Sequence, residues 1–539
     1  MKSHPLAQTS RRGAAAFRTV TVQVSRKLKA VYRVRIGRLL SRLLAGLMAA
    51  FVSQVMAQLP QGLQSPGQGI QESARTSTSL VLTQGVDRAI ANWQSFSIGA
   101  GHSVQFVQPG ASSVALNRVL GQNASQIFGS LTANGQVFLV NPNGVLFAPG
   151  ASVNVGGLVA STLNLSNEDF LAGRYTFSGP GGMVTNNGAL KAGYVVLAGA
   201  QVANNGTIET PTGGSVGLLA GSRVSVDPNG DGLVKFSVDA GAVNAMASNT
   251  GVLKADGGQV SMLASAVGDT LQTVINQSGV IRANTVVNNN GTVTLSGGPR
   301  GVVTVSGTVQ ARGDDAGEKG GTVKVLGDRV GLMAGANVDA GGDAGGGTVL
   351  VGGNFQGKGP EQNATVTYVD RDARIGVDAG TAGQGGTVIV WADGTTRAHG
   401  TVSARGGAQG GDGGFVEISG KQHLSFSASV DTRAPAGKRG TLLLDPENIN
   451  IVNTGTDDLE DDGAAPGTPA TYAFTENAGL TSDVAAATLV GQNSDIVLQA
   501  TKNITFNEAV TLNAGKSLTA EAGQDIVVNQ AITTTGAGF

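Results

Sequence analysis

The stretch that decides the fold is residues 117–162, NRVLGQNASQIFGSLTANGQVFLVNPNGVLFAPGASVNVGGLVAST. Short aliphatic and β-branched runs alternate there with Asn-Gly, Pro-Gly and Gly-Gly pairs, a pattern that predicts brief strands joined by tight turns. At its centre lies the tetrapeptide NPNG at 141–144. Asn141 can hydrogen-bond to its own turn, Pro142 fixes φ at the first corner, and Gly144 accepts backbone angles that a Cβ resists. We therefore expect short strands with a tight turn at this tetrapeptide.

The composition excludes two classes of glycine-rich protein. The chain has 539 residues with 83 glycines and 15 prolines, but 40% of its residues are hydrophobic, more than a disordered chain normally carries. Collagen needs glycine at every third position with much more proline, and that period is absent. Because only 4% of the residues are aromatic, small aliphatic side chains must fill the interior, as in thin stacked sheets.

Charge is divided unevenly along the chain. The first 57 residues contain 11 Lys and Arg and no Asp or Glu, which leaves 25 basic against 37 acidic residues, a net charge of about −12, for the remainder. This acidity argues against nucleic acid as a partner, because phosphate binding needs a basic face. The absence of cysteine excludes disulfides and thiolate chemistry. It is compatible with a cytosolic protein, and it also suits a chain that crosses an oxidising periplasm unfolded.

The amino-terminal segment has the pattern of a secretory signal. A basic region precedes an apolar run at 43–52, and small residues at Val55 and Ala57 place a cleavage point between Ala57 and Gln58. The apolar run is shorter than the roughly 20 residues that a transmembrane helix needs. We therefore predict an extended signal peptide over 1–57, with an amino-terminal membrane anchor as the alternative.

An internal repeat emerges after residue 320. A strand-like unit, Gly-Thr-Val or a variant of it, recurs five times, and the second residues of successive copies are 26, 39, 28 and 26 positions apart. These copies are 321–325, 347–351, 386–390, 414–418 and 440–444. Less similar copies of a second strand, each with a glycine-rich turn, lie between them at 336–341, 374–380, 400–406 and 428–432.

Units this small cannot bury their own apolar faces, so they must stack. The sequence therefore predicts an all-β fold, a right-handed parallel β-helix (solenoid) in which each coil contributes two or three strands. An antiparallel sandwich array is the alternative, and it would need a hairpin at every turn. Three Asn-Asn-Gly triplets, at 186–188, 204–206 and 289–291, precede short β runs, and we expect them to place residues at positive φ.

Several motifs in the first part of the chain occur together and in a fixed order. They are Asn92-Trp93-x-x-Phe96, Asn117-Arg118-Val119, Ser125-x-Ile127-x-Gly129, Asn134-Gly135 and Asn141-Pro142-Asn143-Gly144. In order and spacing they resemble the secretion domain of the filamentous haemagglutinin family, the exoproteins of bacterial two-partner secretion. The likeness is strongest over 86–180 and moderate over 320–451. Many members carry Leu where this chain has Gly144.

The resemblance implies an export route, a partner and a set of recognition residues. The signal peptide would direct the chain to the periplasm, where a cognate outer-membrane β-barrel transporter with periplasmic substrate-binding domains would recognise it. The chain would pass through unfolded and fold outside. The residues to which the resemblance assigns transporter recognition are Asn117, Asn141, Pro142, Asn143 and Gly144. The alternative is that the asparagines only hold turns and ladders inside the solenoid.

The resemblance also suggests how the chain is organised and what it does. We expect a signal peptide at 1–57, the secretion domain at 58–300, glycine-rich repeats at 301–450 and further β repeats, apparently truncated, at 451–539. The protein would be a secreted or surface-bound adhesin of a Gram-negative bacterium, with a carbohydrate or protein receptor on another cell. The alternatives are the secretion stalk of a haemolysin or contact-dependent toxin, and a β-helical polysaccharide-active enzyme.

Other motifs have simpler interpretations. Residues 227–232 have the spacing of a calcium loop, but Val238 stands where the bidentate Glu is expected, and the glycine-rich 410–414 does not recur every nine residues. We therefore expect ordinary turns there, a solvated loop at the acidic cluster 457–462, and a chance tripeptide at Arg-Gly-Asp 312–314.

Enzyme chemistry has little support in the sequence. Only three histidines follow the leader, at 102, 399 and 423, and no nucleophile elbow or paired-histidine zinc motif is present. Asp370, Asp372 and Asp378 are candidates for a carboxylate pair, but turn and edge positions explain them more simply. The sequence predicts no catalytic residue, no metal ligand and no cofactor.

Overall fold

The computed structural model describes residues 59–65, 69–228, 233–268, 272–287, 289–454, 474 and 481–536, which belong to the unit Leu59–Phe539. The predicted signal peptide, its cleavage site at Ala57 and Gln58, residues 229–232 of the calcium-like loop and the acidic cluster at 457–462 lie outside the described residues.

The chain winds through three sheets in a repeating order. Ser103–Val107 lies in the first sheet, Val114–Val119 in the second and Ser125–Ile127 in the third, before Ser130–Ala133 returns to the first. Each strand runs parallel to its counterpart in the next coil. The predicted parallel β-helix is confirmed, with three strands in each of these coils.

The strands of each sheet follow one another in chain order. In the described part of the chain the first sheet comprises Ile70–Arg75, Ser79–Gln84, Ser103–Val107, Ser130–Ala133, Ser152–Val155, Ala189–Ala192, Thr207–Glu209, Val252–Lys254, Val280–Arg282, Thr308–Gln310, Asn337–Asp339, Arg374–Gly376, Thr401–Ser403 and Ser429–Asp431. The second sheet comprises Arg88–Trp93, Val114–Val119, Gln136–Val140, Gly157–Ser161, Tyr194–Gly199, Ser215–Ala220, Gln259–Ala264, Thr292–Ser296, Thr322–Leu326, Thr348–Val351, Thr387–Ala392, Phe415–Gly420, Thr441–Leu444, Asp495–Ala500 and Leu518–Ala522.

The third sheet has its own strands, and two smaller sheets follow it along the chain. The third sheet comprises Ser125–Ile127, Val145–Phe147, Met183–Asn186, Gln201–Asn204, Met246–Asn249, Gln272–Gln277, Gly301–Val305, Arg329–Leu332, Val366–Val369, Thr395–Ala398 and His423–Phe426. The smaller sheets comprise Ile449–Val452, Ser482–Ala485, Ile504–Phe506 and Ile526–Val528 in one, and Val510–Leu512 and Ile532–Thr534 in the other.

Antiparallel pairing between strands of the described ranges is confined to two places. Ile70–Arg75 pairs antiparallel with Ser79–Gln84 at the amino-terminal end of the first sheet. An inserted sheet of Tyr175–Ser178, Arg223–Asp227 and Lys235–Ala240 is antiparallel throughout. The described helices are short: α-helices at Asn167–Leu171 and Ala486–Gly491, and 3-10 turns at Gly298–Arg300 and Phe355–Gly357.

The core is a stack of small aliphatic side chains, as the composition predicted. The five Gly-Thr-Val units form neighbouring strands of the second sheet in one register. Their inward residues Val323, Val349, Val388, Val416 and Leu442 align from coil to coil, and none is exposed to solvent. Burying one such side chain stabilises the fold by about 1.5–3 kcal/mol, so repetition rather than large rings supplies the stability.

Glycine is abundant because the corners of successive coils nearly touch. A Cβ built on Gly347 would collide with the carbonyl oxygen of Gly321, and Gly386, Gly414 and Gly440 each stand in the same relation to the glycine one coil earlier. This column leads into the second sheet. The glycine of each Gly-Thr-Val unit is therefore required by close backbone approach between coils.

A second apolar layer covers the outer face of the second sheet in the amino-terminal half. The ring of Phe138 packs edge-on against Tyr175, with centroids 4.9 Å apart, and also against Phe170 at 6.3 Å. Ser166 caps the helix Asn167–Leu171, with its hydroxyl accepting the backbone N–H of Asp169. The strands beneath are consequently buried on both faces, an arrangement that the sequence pattern does not predict.

Candidate functional site

Asn117 lies inside the solenoid. Its strand, Val114–Val119, pairs with Arg88–Trp93, and the indole Nε1 of Trp93 donates to Oδ1 of Asn117 at 3.0 Å. The amide nitrogen of Asn117 donates to the carbonyl of Ala115 at 3.2 Å. Both Trp93 and Asn117 have no solvent exposure. In the folded protein the amide group of Asn117 therefore satisfies interior hydrogen bonds and does not reach the surface.

The NPNG tetrapeptide is the tight turn that its sequence predicts. The N–H of Asn143 donates to Oδ1 of Asn141 at 3.0 Å, and the N–H of Gly144 donates to the carbonyl of Asn141 at 3.1 Å. Gly144 has a φ of 123°, in the range that disfavours residues with a Cβ. The side chain of Asn141 thus closes the turn that Pro142 begins.

Side-chain amides fasten this turn to the preceding coil. Nδ2 of Asn141 donates to the carbonyl of Asn123 and to Oγ of Ser125, both at 3.0 Å. Nδ2 of Asn143 donates to the carbonyl of Gly121 at 2.9 Å. The turn and residues 121–125 therefore form one rigid corner.

Exposure divides the five sequence-predicted residues into two groups. Pro142 and Asn143 are exposed, whereas Asn117, Asn141 and Gly144 are buried. Asn117 pairs in register with Leu139, two residues before the turn, so all five lie in two adjacent coils. In the folded state only Pro142 and Asn143 present side chains to solvent, and the other three support them.

Arg118 has a structural role that the motif Asn117-Arg118-Val119 does not predict. Its guanidinium donates to Oδ1 of Asn167 at 2.8 Å, to Oδ1 of Asn164 at 3.2 Å and to the carbonyl of Leu165 at 2.5 Å. These partners lie in the inserted segment, residues 164–178, which contains the helix Asn167–Leu171 and the strand Tyr175–Ser178 over the second sheet. Burial lowers the pKa of Arg118 below its usual value. Arg118 therefore ties the inserted layer to the coil that contains Asn117.

The expectation of positive φ at the Asn-Asn-Gly triplets is wrong, because no residue of 186–188, 204–206 or 289–291 has it. Asn186 and Asn204 instead point into the interior as part of a ladder. Nδ2 of Asn186 donates to Asn204, Nδ2 of Asn204 to Asn249, and Nδ2 of Asn249 to Gln277, at 2.7, 2.7 and 2.8 Å. All four side chains are fully buried. A buried amide ladder and a turn use the same residue type, which explains the error.

The remaining motifs are engaged in ordinary structural contacts. In the Arg-Gly-Asp tripeptide, Nε of Arg312 donates to its own Asp314 at 2.7 Å and Nη1 donates to Asp339 at 2.5 Å. The Asp412 carboxylate in the glycine-rich segment accepts the N–H of Lys438 at 2.8 Å. The described residues contain no group of three His, Asp or Glu side chains arranged to hold a metal ion.

The carboxylate candidates are also engaged. Asp378 pairs with Arg405 at 2.7 Å, and Asp370 accepts the hydroxyl of Tyr368 at 3.1 Å and the N–H of Asp372 at 2.9 Å. In the part of the chain that the structure covers, no helix has the length and apolarity needed to cross a membrane.

One carboxylate has a strongly perturbed proton affinity. Residues 352–363 form a strap over the outer face of the second sheet, and the N–H of Gln356 donates to both carboxylate oxygens of Glu417 at 3.2 and 3.1 Å. Nε2 of Gln356 also donates to Asp445 at 3.2 Å and to Gln499 at 3.0 Å. Burial raises the pKa of Glu417 to about 7, although the N–H of Gln356 acts in the opposite direction.

Comparisons with known proteins agree with this architecture. The TPS secretion domain family matches residues 59–314, a range that contains the Asn117 coil and the NPNG turn. The crystal structure of the HMW1 secretion domain from Haemophilus influenzae is similar at 30% sequence identity, with a TM-score of 0.62, covering 70% of this chain and all of that one.

Two curated sequences named heme/hemopexin-binding protein, both from Haemophilus influenzae, are also similar. One is 35% identical over 249 residues, or 44% of this chain and 27% of the relative. The other is 48% identical over 103 residues, or 19% of this chain and 11% of the relative. The chain thus spans at most about a quarter of the length of these relatives in the matched regions. From the domain match and the structural similarity, the chain belongs to the family of two-partner secretion exoproteins that carry a TPS secretion domain.

Proposed function

We propose that this chain is the exported partner of a two-partner secretion system and that a cognate outer-membrane β-barrel transporter recognises its first coils. The observation that carries this proposal is the position of the NPNG turn, with its exposed Pro142 and Asn143, inside the matched secretion domain. The transporter would use periplasmic substrate-binding domains, and the protein would end in the medium or on the cell surface of a Gram-negative bacterium.

The stacking of coils supports folding during export. The strands of the three main sheets pair mainly with those of the preceding and following coils, so a coil can dock as soon as its predecessor is in place. Each docking step buries aliphatic surface at about 25 cal/mol per Å². Folding outside the membrane would therefore drive the chain outward without nucleotide hydrolysis.

The five recognition residues divide into two roles under this proposal. Pro142 and Asn143 would contact the transporter, because they are exposed. Asn117, Asn141 and Gly144 would shape the corner that presents these two residues. Alternatively, the transporter would recognise all five residues before the coils fold. The exported protein would then act as an adhesin towards a carbohydrate or protein receptor.

A second candidate function rests on the curated relatives. Similarity to two heme/hemopexin-binding proteins favours an exported protein that binds heme or a heme-carrying host protein. Binding of purified chain to hemopexin-coated and to cell-coated surfaces separates this candidate from the adhesin.

The export test compares two exposed asparagines at corners of the solenoid. Asn143→Ala changes the NPNG turn, whereas the matched control Asn205→Ala changes an exposed corner several coils later. With the transporter present, we expect Asn143→Ala to lower the released fraction several-fold and Asn205→Ala to leave it unchanged. Equal release of both variants would remove Asn143 from the recognition surface, and release without any transporter would overturn the export route.

A further inference from the structure

A groove of about 740 Å³ lies at the corner between the first and second sheets in the carboxy-terminal half. Its charged lining consists of Arg405, Arg433 and Arg439, and the rest of its wall is glycine, alanine and Pro435. The chain after its first 57 residues is acidic overall, so three arginines in one groove are a local reversal of charge. Small wall residues leave the guanidinium groups accessible to a ligand.

Arg405 and Arg433 occupy equivalent positions in adjacent coils. Ser403 pairs in register with Asp431, and each arginine follows two residues later, so their backbones are separated by about 4.8 Å, the spacing between neighbouring strands. Nε and Nη2 of Arg405 bind Asp378 at 3.0 and 2.7 Å, while those of Arg433 bind Asp431 at 2.9 and 2.6 Å.

These ion pairs orient the two arginines and leave some of their N–H donors available. A guanidinium has five N–H donors, and each pair uses two of them. The side chains of Arg405 and Arg433 are 52% and 55% exposed, so the other donors can meet a ligand from solvent. The carboxylates of Asp378 and Asp431 therefore hold the two guanidinium groups side by side.

Arg439 adds a positive charge to the groove beyond those of Arg405 and Arg433, which are paired with carboxylates. Its Nε is buried and has no hydrogen-bond acceptor among the residues that the structure describes. Burial and the positive charge of Arg439 both lower the pKa of the neighbouring Lys516, next to Gly515 in the groove wall. Arg439 also lines the groove, so its positive charge attracts an anion bound there.

We propose that this groove binds a ligand carrying oxyanion groups, phosphate or carboxylate, with Arg405 and Arg433 engaging adjacent groups and Arg439 the innermost one. The planar guanidinium fork matches the oxygens of both anion types. The proposal does not depend on the export route or on the receptor of the exported protein.

The test measures binding of inorganic pyrophosphate and of citrate to residues 59–539 by isothermal titration calorimetry. We expect binding of at least one probe, weakening with added NaCl, and about tenfold loss of affinity in Arg439→Gln, the size expected for one charge-assisted hydrogen bond. Pyrophosphate binding without citrate binding assigns a phosphate ligand, and the reverse assigns a carboxylate.

Arg312→Gln is the matched control. Arg312 occupies the same position in an earlier coil and pairs with Asp314 and Asp339, but it lies outside the groove. We expect it to bind both probes as the unmodified chain does. Arg433→Gln, checked by circular dichroism, provides a second groove variant should Arg439→Gln misfold. No binding of either probe, or equal losses in Arg312→Gln and Arg433→Gln, would overturn the proposal.

Discussion

The indole nitrogen of Trp93 donates to the side-chain oxygen of Asn117 in the next coil, at 3.0 Å and without solvent exposure of either residue. Trp93 also packs edge-on against Phe96, with ring centroids 5.5 Å apart. Two motifs that are 24 positions apart in sequence are thus one hydrogen-bonded unit.

Trp93→Phe should therefore destabilise the secretion domain. It removes the indole N–H that donates to Oδ1 of Asn117 and leaves a buried acceptor without this partner, at a cost of about 1–3 kcal/mol in the free energy of unfolding, before the loss of ring volume is counted. Trp391→Phe is the matched control, because Nε1 of Trp391 donates at 3.0 Å to Asp393, which is exposed and can be solvated instead. Urea denaturation of residues 59–539 measures both, and equal costs would contradict a special role for the Asn117 bond.

The sequence predicted the first and second sheets better than the third. Glycine precedes each of the five second-sheet strands between residues 320 and 445, and a glycine-rich turn follows most first-sheet strands there, so the repeat was visible. Third-sheet strands such as Thr395–Ala398 and His423–Phe426 have polar residues at many positions and no such marker. Their identity as strands comes from pairing with neighbouring coils, which a single sequence does not display.

The candidate site was predicted in part. The turn at 141–144 follows from local chemistry, because Asn141, Pro142 and Gly144 each favour the conformation that they adopt. The burial of Asn117 does not, since it depends on Trp93 in the adjacent coil. The hydrogen bonds from the Arg118 guanidinium to the inserted segment likewise join residues 46 to 49 positions apart, a separation that motif spacing does not predict.

The interior amide ladder provides a stability test with an adjacent control. Asn204→Ala removes one acceptor and one donor from the ladder and leaves Asn186 and Asn249 each lacking a partner, so we expect a loss of about 2–4 kcal/mol in the free energy of unfolding. Asn205→Ala removes exposed bonds to Asn187 and Thr250, and it should cost less than about 1 kcal/mol. Chemical denaturation compares the two, and a similar loss in both would show that burial of the ladder adds nothing.

The glycine column makes a steric prediction. Gly347→Ala places a Cβ against the carbonyl oxygen of Gly321, and neither backbone can move without disturbing its coil, so we expect a loss of roughly 2–3 kcal/mol or failure to fold. Gly410→Ala serves as the control, because nothing lies within 4 Å of its Cβ position. It should change stability by less than about 0.5 kcal/mol. Thermal melts followed by circular dichroism distinguish them, and an unchanged melt for Gly347→Ala would refute the close-contact argument.

Glu417 gives a pH dependence with a defined sign. Burial raises its pKa to about 7 in the folded protein, compared with an ordinary value of 4.5, so between these pH values the folded state binds more protons than the unfolded one. The corresponding contribution to stability is complete below pH 4.5 and is lost as pH rises through about 7, amounting to about 3 kcal/mol. Burial also raises the pKa of Asp445, which adds a change of the same sign.

Replacing the titrating group isolates this effect. Glu417→Gln keeps an oxygen for the N–H of Gln356 but cannot ionise, so the variant should match the unmodified chain near pH 4 and be more stable near pH 8. Glu209→Gln is a control of opposite sign, because a hydrogen bond from Lys254 lowers the pKa of Glu209 and stabilises the fold at higher pH. Urea midpoints measured from pH 4 to 8 test both variants. If Glu417→Gln and the unmodified chain lose stability in parallel across that range, the buried carboxylate is not the group that titrates, and the strap at Gln356 does not depend on its charge.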